Sequence, residues 1–102
     1  MTIRIEQIIG IIEEDWIFEE DLYVKNNKIK GITKPDEYKV TIYPLNHKSE
    51  EDYNITIAHE LLHILYPYWT EELVRNLDKK VYKEKPRHIE FLKDIYKLGG
   101  CI

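Results

Sequence analysis

The chain has 102 residues, enough for one small domain, and 43% of them are apolar, enough for a single compact core. Charged residues reach 33% while the net charge is only -4, so the two signs are interspersed and neither nucleic acid nor an anionic membrane is indicated as a partner. One cysteine, Cys101, excludes an intramolecular disulfide framework and a CxxC-type zinc or redox site, and no apolar run approaches the ~20 residues needed to span a bilayer.

Ile5, Ile8, Ile9 and Ile12 recur at helical spacing, which predicts an amphipathic helix over residues 2–15 with Thr2 as N-cap. The charges Arg4, Glu6, Glu13 and Glu14 in this segment do not suit a signal peptide, so a soluble, cytoplasmic protein is expected. Phe18–Lys25 and Lys28–Thr33 read as strands joined by the turn pair Asn26-Asn27. After Lys34-Pro35-Asp36, the alternating stretch Tyr38–Tyr43 reads as a third strand ending at Pro44. The connections are too short for crossovers, which predicts a small three-stranded antiparallel sheet. Ser49-Glu50-Glu51-Asp52 forms a capping arrangement for a helix running to about Leu65, stopped by Pro67. Thr70 caps a third helix, whose Leu73, Val74, Leu77 and Val81 mark its core face. Pro86 opens a last helix that ends at Gly99-Gly100. The expected class is α+β, one domain over residues 1–102, with residues 98–102 as a tail. Abundant Ile, Lys and Glu with single Gln, Met and Cys residues match hyperthermophilic usage, a bias that an AT-rich genome also produces.

Chemistry concentrates in the second helix, at His59-Glu60-Leu61-Leu62-His63. Four residues advance a helix by about 400°, so the two imidazoles stand one turn apart on one side and can reach one tetrahedral Zn²⁺. Glu60 lies about 100° round from His59, near enough to act on a zinc-bound water without ligating the metal. The flanking Thr56, Ile57, Ala58, Ile64 and Leu65 are uncharged, which suits a helix buried on its other faces. A catalytic zinc needs a third protein ligand and an open position. Glu71 and Glu72 are the candidates, eight and nine residues after His63. Glu71 shares a side with Val74 and Asp78, whereas Glu72 falls with Arg75, Asn76 and Lys79, so helical phase favours Glu71, with Glu72 the alternative. Asp78 or Asn76 is a candidate to orient a zinc-bound imidazole. His88 or a tyrosine is a candidate oxyanion donor, although His88 and His47 read first as surface histidines. Tyr38–Tyr43 is a candidate edge strand for an extended peptide.

His59-Glu60-Leu61-Leu62-His63, followed by a short link and a glutamate-bearing helix, resembles the gluzincin class of zinc metallopeptidases, and the chain as a whole resembles the minigluzincins. The resemblance implies an N-terminal helix, a three-stranded antiparallel sheet, an active-site helix, a glutamate helix and a C-terminal helix. It implies hydrolysis of peptide bonds in peptide or protein substrates, with zinc as cofactor, His59, His63 and Glu71 as ligands and Glu60 as the base. It also implies a latent form with the C-terminal tail in the cleft. Cys101 or the Ile102 carboxylate would then cap the metal, with self-association through the tail as a related expectation. In larger gluzincins a longer segment separates the second His from the ligand Glu, which leaves Glu71 against Glu72 open on this ground. The alternative to an enzyme is a non-catalytic, zinc-stabilised interaction module.

Overall fold

Isoleucines one helical turn apart build the first element, α1 (Ile5–Glu13), in the computed structural model, which describes residues 3–22 and 28–99. Ile8 and Ile11 are buried and Ile5 and Ile12 flank them, whereas Ile9 faces solvent. At 100° per residue Ile9 lies at the edge of the stripe centred on Ile8. The helix starts later than the spacing suggests. Arg4 holds the N-cap position, its N–H donating to Gln7 Oε1 at 2.8 Å, and Thr2 lies outside the described residues.

Three strands follow: β1 (Ile17–Glu20), β2 (Gly31–Lys34) and β3 (Lys39–Ile42). Their spatial order is β1-β3-β2, and the sheet is mixed rather than antiparallel throughout. β2 and β3 pair antiparallel, Thr33 opposite Val40, while β1 and β3 pair parallel, Phe18 opposite Val40. The short connections do reverse the chain at each step, as expected. Two successive reversals leave β1 and β3 pointing the same way, and β3 occupies the slot between its predecessors. A crossover is therefore not needed to make the parallel pair. The tight hairpin is the one between β2 and β3, closed by a 3-10 turn at Pro35–Glu37 and by Tyr38 in the left-handed region at φ 51°. Because β1 and β2 are not neighbours, no hairpin joins them, and the Asn26-Asn27 pair lies outside the described residues. Tyr38–Tyr43 is consequently no edge. β3 is the central strand, with Val40 and Ile42 fully buried, and β2 is an edge strand of the sheet among the described residues.

The helices are capped where their sequences indicate. Ser49 Oγ accepts from Asp52 N–H at 3.1 Å to open α2 (Glu50–Leu65), and Thr70 Oγ1 accepts from Leu73 N–H at 3.2 Å to open α3 (Glu71–Glu84). Pro86 is the first residue of α4 (Pro86–Gly99), where its missing N–H costs nothing. Leu98 and Gly99, the start of the expected tail, belong to this helix. Residues 100–102, and with them the capping role considered for Cys101 and Ile102, lie outside the described residues.

Helix α2 is the spine. Tyr53, Ile57, Ala58, Leu61 and Leu62 are buried on it, between α3, α4 and the sheet. Phe18 of β1 meets Tyr96 of α4 edge to face at 5.2 Å, extending the core beside α2 on the same face of the sheet. Burial on several faces fixes the rotation of α2, and so fixes where its polar side chains emerge. Among the described residues no helix is long and apolar enough to cross a membrane.

Candidate metal centre

His59 and His63 occupy successive turns of α2, their ring centroids 4.8 Å apart and their Nε2 atoms 3.2 Å apart. Helix α2 ends at Leu65, and Tyr66 stacks on Trp69 at 4.2 Å to brace the link. Thr70 then starts α3, so its first turn stands opposite the two imidazoles. Glu71 spans both: Oε1 lies 2.8 Å from His59 Nε2 and Oε2 lies 2.8 Å from His63 Nε2. One donor atom from each of the three residues falls within 4.8 Å of the others, a group able to hold a metal ion.

The phase of α3 explains why Glu71 rather than Glu72 is delivered. Val74, Asp78 and Val81 are the residues it buries. Glu71 precedes Val74 by three and Asp78 by seven, which puts all of them on one stripe. Leu73, expected on the core face, is 39% exposed, so that face is centred one position further along than the apolar residues suggest. Glu72 and Asn76 are exposed and lie outside the group. Asp78 does what one of the two orienting candidates should do, since its Oδ2 accepts from His59 Nδ1–H at 3.0 Å. That bond leaves Nε2 as the nitrogen turned toward Glu71 and His63.

Glu60 is 5% exposed. Its Oε2 accepts the hydroxyl hydrogen of Thr33 on β2. Burial pushes its carboxyl above the ordinary value, against the Thr33 hydrogen bond and the neighbouring His59 and His63. Burial also works against a charged His59, but the Asp78 hydrogen bond together with Glu60 and Glu71 outweighs it, and its pKa is raised. For Glu71 burial is likewise outweighed, here by His59 and His63, and its carboxyl sits below the ordinary range. These shifts mark three titratable groups acting on one another in one place, as functional sites do.

The group opens into a cleft of about 720 Å³ between β2 and the helices α2 and α3. Its walls include Gly31, Thr33, Thr56, His59, Glu60, His63, Glu71 and Asp78, with Lys28, Lys30 and Arg75 as cations. Lys30 pairs with Asp52 at 2.9 Å, and Arg75 reaches Glu71 Oε1 at 3.5 Å. Neither His88 nor any tyrosine lines the cleft among the described residues, so the oxyanion donors considered from sequence are not there. Nor are the other two histidines surface residues. His47 is half-buried, with Nε2 3.0 Å from Thr56 Oγ1 and its ring 5.1 Å from that of Tyr53, and His88 is half-buried too. Gly31, Thr33 and Arg75 are the cleft residues that sequence reasoning missed. The alternation Gly31-Ile32-Thr33 carries a weak signal, since it puts a hydroxyl and a residue without a side chain on one face of a strand.

No family model, curated protein or solved structure matches the chain. A functional reading must therefore be argued from the site.

The Asp78 contact yields a direct expectation. Asp78→Ala should free the His59 ring to rotate and would weaken the binding of a metal held by this group by about 10–100-fold. Competition with a chromophoric chelator measures this, and an affinity within twofold of the parent would remove Asp78 from the site.

Proposed function

We propose that the chain is a zinc-dependent endopeptidase of the gluzincin class, similar to the minigluzincins. The observation that carries this reading is the meeting, in one cleft, of a His59–His63–Glu71 donor group, a buried acid at Glu60 and β2, an edge strand among the described residues. Two imidazoles and one carboxylate are a common catalytic zinc set, and they leave a fourth position for substrate chemistry. Donors at ~2.0–2.1 Å from a tetrahedral zinc stand roughly 3.3–3.4 Å from one another. Here His59 Nε2 and His63 Nε2 are 3.2 Å apart, each lies 2.8 Å from a different oxygen of Glu71, and one donor atom from each residue falls within 4.8 Å of the others, so a single ion would draw the three donors together by rotamer adjustment. Donor type also suits Co²⁺ or Fe²⁺, and zinc is the ion favoured by this combination in a hydrolase.

A bound Zn²⁺ brings the pKa of a water down toward ~7 and polarises a peptide carbonyl. The chain's own groups do the rest. Glu60 accepts the proton of the attacking water and returns it to the leaving amine. Its burial in the cleft wall beside the His59–His63–Glu71 group places the carboxylate where a proton has to be taken and returned. Asp78 keeps His59 in one tautomer and one ring orientation. As an edge strand on the cleft wall, β2 would offer main-chain groups to an extended peptide, and its side chains would add specificity. Arg75, largely in solvent on the α3 wall, is the candidate donor to a developing oxyanion.

The test is hydrolysis of a mixed peptide library by the zinc-loaded protein. Cleavage should disappear with a chelator and return when Zn²⁺ is restored. A protein that binds zinc stoichiometrically yet cleaves nothing would favour the non-catalytic, zinc-stabilised module.

A further inference from the structure

The cleft holds a second device, on the strand side of Glu60. β2 presents Gly31 and Thr33 to α2, two residues apart on one face. The Thr33 hydroxyl donates to Glu60 Oε2. Gly31 has no positive φ, so turn geometry is not its reason for being glycine. Close approach is. A Cβ built there would stand 3.1 Å from Ile42 Cδ1, 3.1 Å from Thr56 Cγ2 and 3.2 Å from Glu60 Oε1. One residue thus grips one carboxylate oxygen while the other lets the strand press against the second oxygen.

We propose that Thr33 is the positioning residue for Glu60, holding the carboxylate in one rotamer while Gly31 lets β2 sit close enough for that bond to form. The inference rests on the peptidase reading for its catalytic meaning, and on the strand geometry for its existence. A buried carboxylate without a donor is costly and turns toward whatever polar group is nearest. The imidazoles of His59 and His63, which line the same cleft, are those groups here. Released from Thr33, the Glu60 carboxylate could turn toward the imidazoles and act as a ligand instead of a base. The pairing Thr33 opposite Val40 fixes the height of the hydroxyl along α2, so the central strand of the sheet sets the aim of the base. The Thr33 side chain points at α2, whereas peptide pairing uses the backbone of β2, so binding and aiming are separable.

Kinetics of the zinc-loaded protein on a chelator-sensitive peptide test this with two variants. Thr33→Val keeps the shape and strand preference but has no hydroxyl, and Thr33→Ser keeps the donor. Thr33→Val should lower kcat by about tenfold or more, a fraction of what a positioned base contributes, with KM and bound zinc within twofold. Thr33→Ser should recover most of the loss. An unchanged kcat in Thr33→Val, or equal damage in both variants, overturns the inference while leaving the peptidase reading intact. Should the parent protein bind zinc and cleave nothing, the peptidase reading fails instead. A Thr33→Val/Glu60→Ala double-mutant cycle in denaturant unfolding then decides the contact. Coupling of about tenfold in the unfolding equilibrium is expected for a hydrogen bond to a charged group, and effects that simply multiply would overturn it.

Discussion

On the peptidase reading proposed above, Glu60→Gln should abolish peptide hydrolysis by the zinc-loaded protein, lowering kcat by at least about 10²–10⁴-fold, while the metal should stay bound. Glutamine keeps the length and shape of the side chain, and its carbonyl oxygen still accepts from the Thr33 hydroxyl. What it loses is the capacity to take a proton from water. The substitution also removes a charge from a position that is 5% exposed, and burial already works against that charge. The folded state should therefore tolerate the change, and resistance to denaturant should hold steady or rise. Initial rates on a peptide substrate, read beside zinc stoichiometry, separate the possibilities. Lost activity with retained metal identifies the base. Undiminished cleavage would remove Glu60 from the chemistry, and loss of metal together with activity would make it a structural residue.

What could be read from sequence alone divides along a physical line. Signals that act within one turn of helix or one strand were legible. Ser49 and Thr70 cap as their types dictate, and His59 and His63 face one another because four residues make about one turn. That Glu71 rather than Glu72 stands beside the two imidazoles is a matter of helical phase, set by Val74 and Asp78 although Leu73 is exposed. Signals that depend on which distant segments meet were not legible. Nothing local in Ile17–Glu20 says that its partner is Lys39–Ile42 rather than the strand that comes next. The burial of Val40 and Ile42 pulls β3 to the centre, a decision of the whole core rather than of the strand. Thr33 and Gly31 were missed for the same reason. Their role exists only once the register against β3 brings them over Glu60 on a helix 27 residues downstream of Thr33.

Removing the third donor gives the other large effect, and it decides between two adjacent residues. Glu71→Ala should weaken zinc binding by far more than the about 10–100-fold expected for an outer partner such as Asp78, whereas Glu72→Ala should leave it within twofold. Both acids lie in the first turn of α3 and both gain from the helix dipole there. Each substitution thus costs a similar amount of helix stability, roughly 0.3–1 kcal/mol. Glu71→Ala also loses the contacts with His59 and His63, so the metal-free Glu71→Ala protein should unfold more readily than Glu72→Ala, and the response to added zinc is what isolates the ligand. Metal affinity should separate them, because Oε1 and Oε2 of Glu71 are the oxygens 2.8 Å from His59 Nε2 and His63 Nε2. Added zinc stabilises a folded protein in proportion to how tightly it is held, so the midpoint of unfolding should climb with zinc for Glu72→Ala and stay nearly flat for Glu71→Ala. Equal zinc responses, or the larger loss at Glu72, would mean that α3 rotates by about 100° when the metal enters, and that Val74 and Asp78 do not hold its phase.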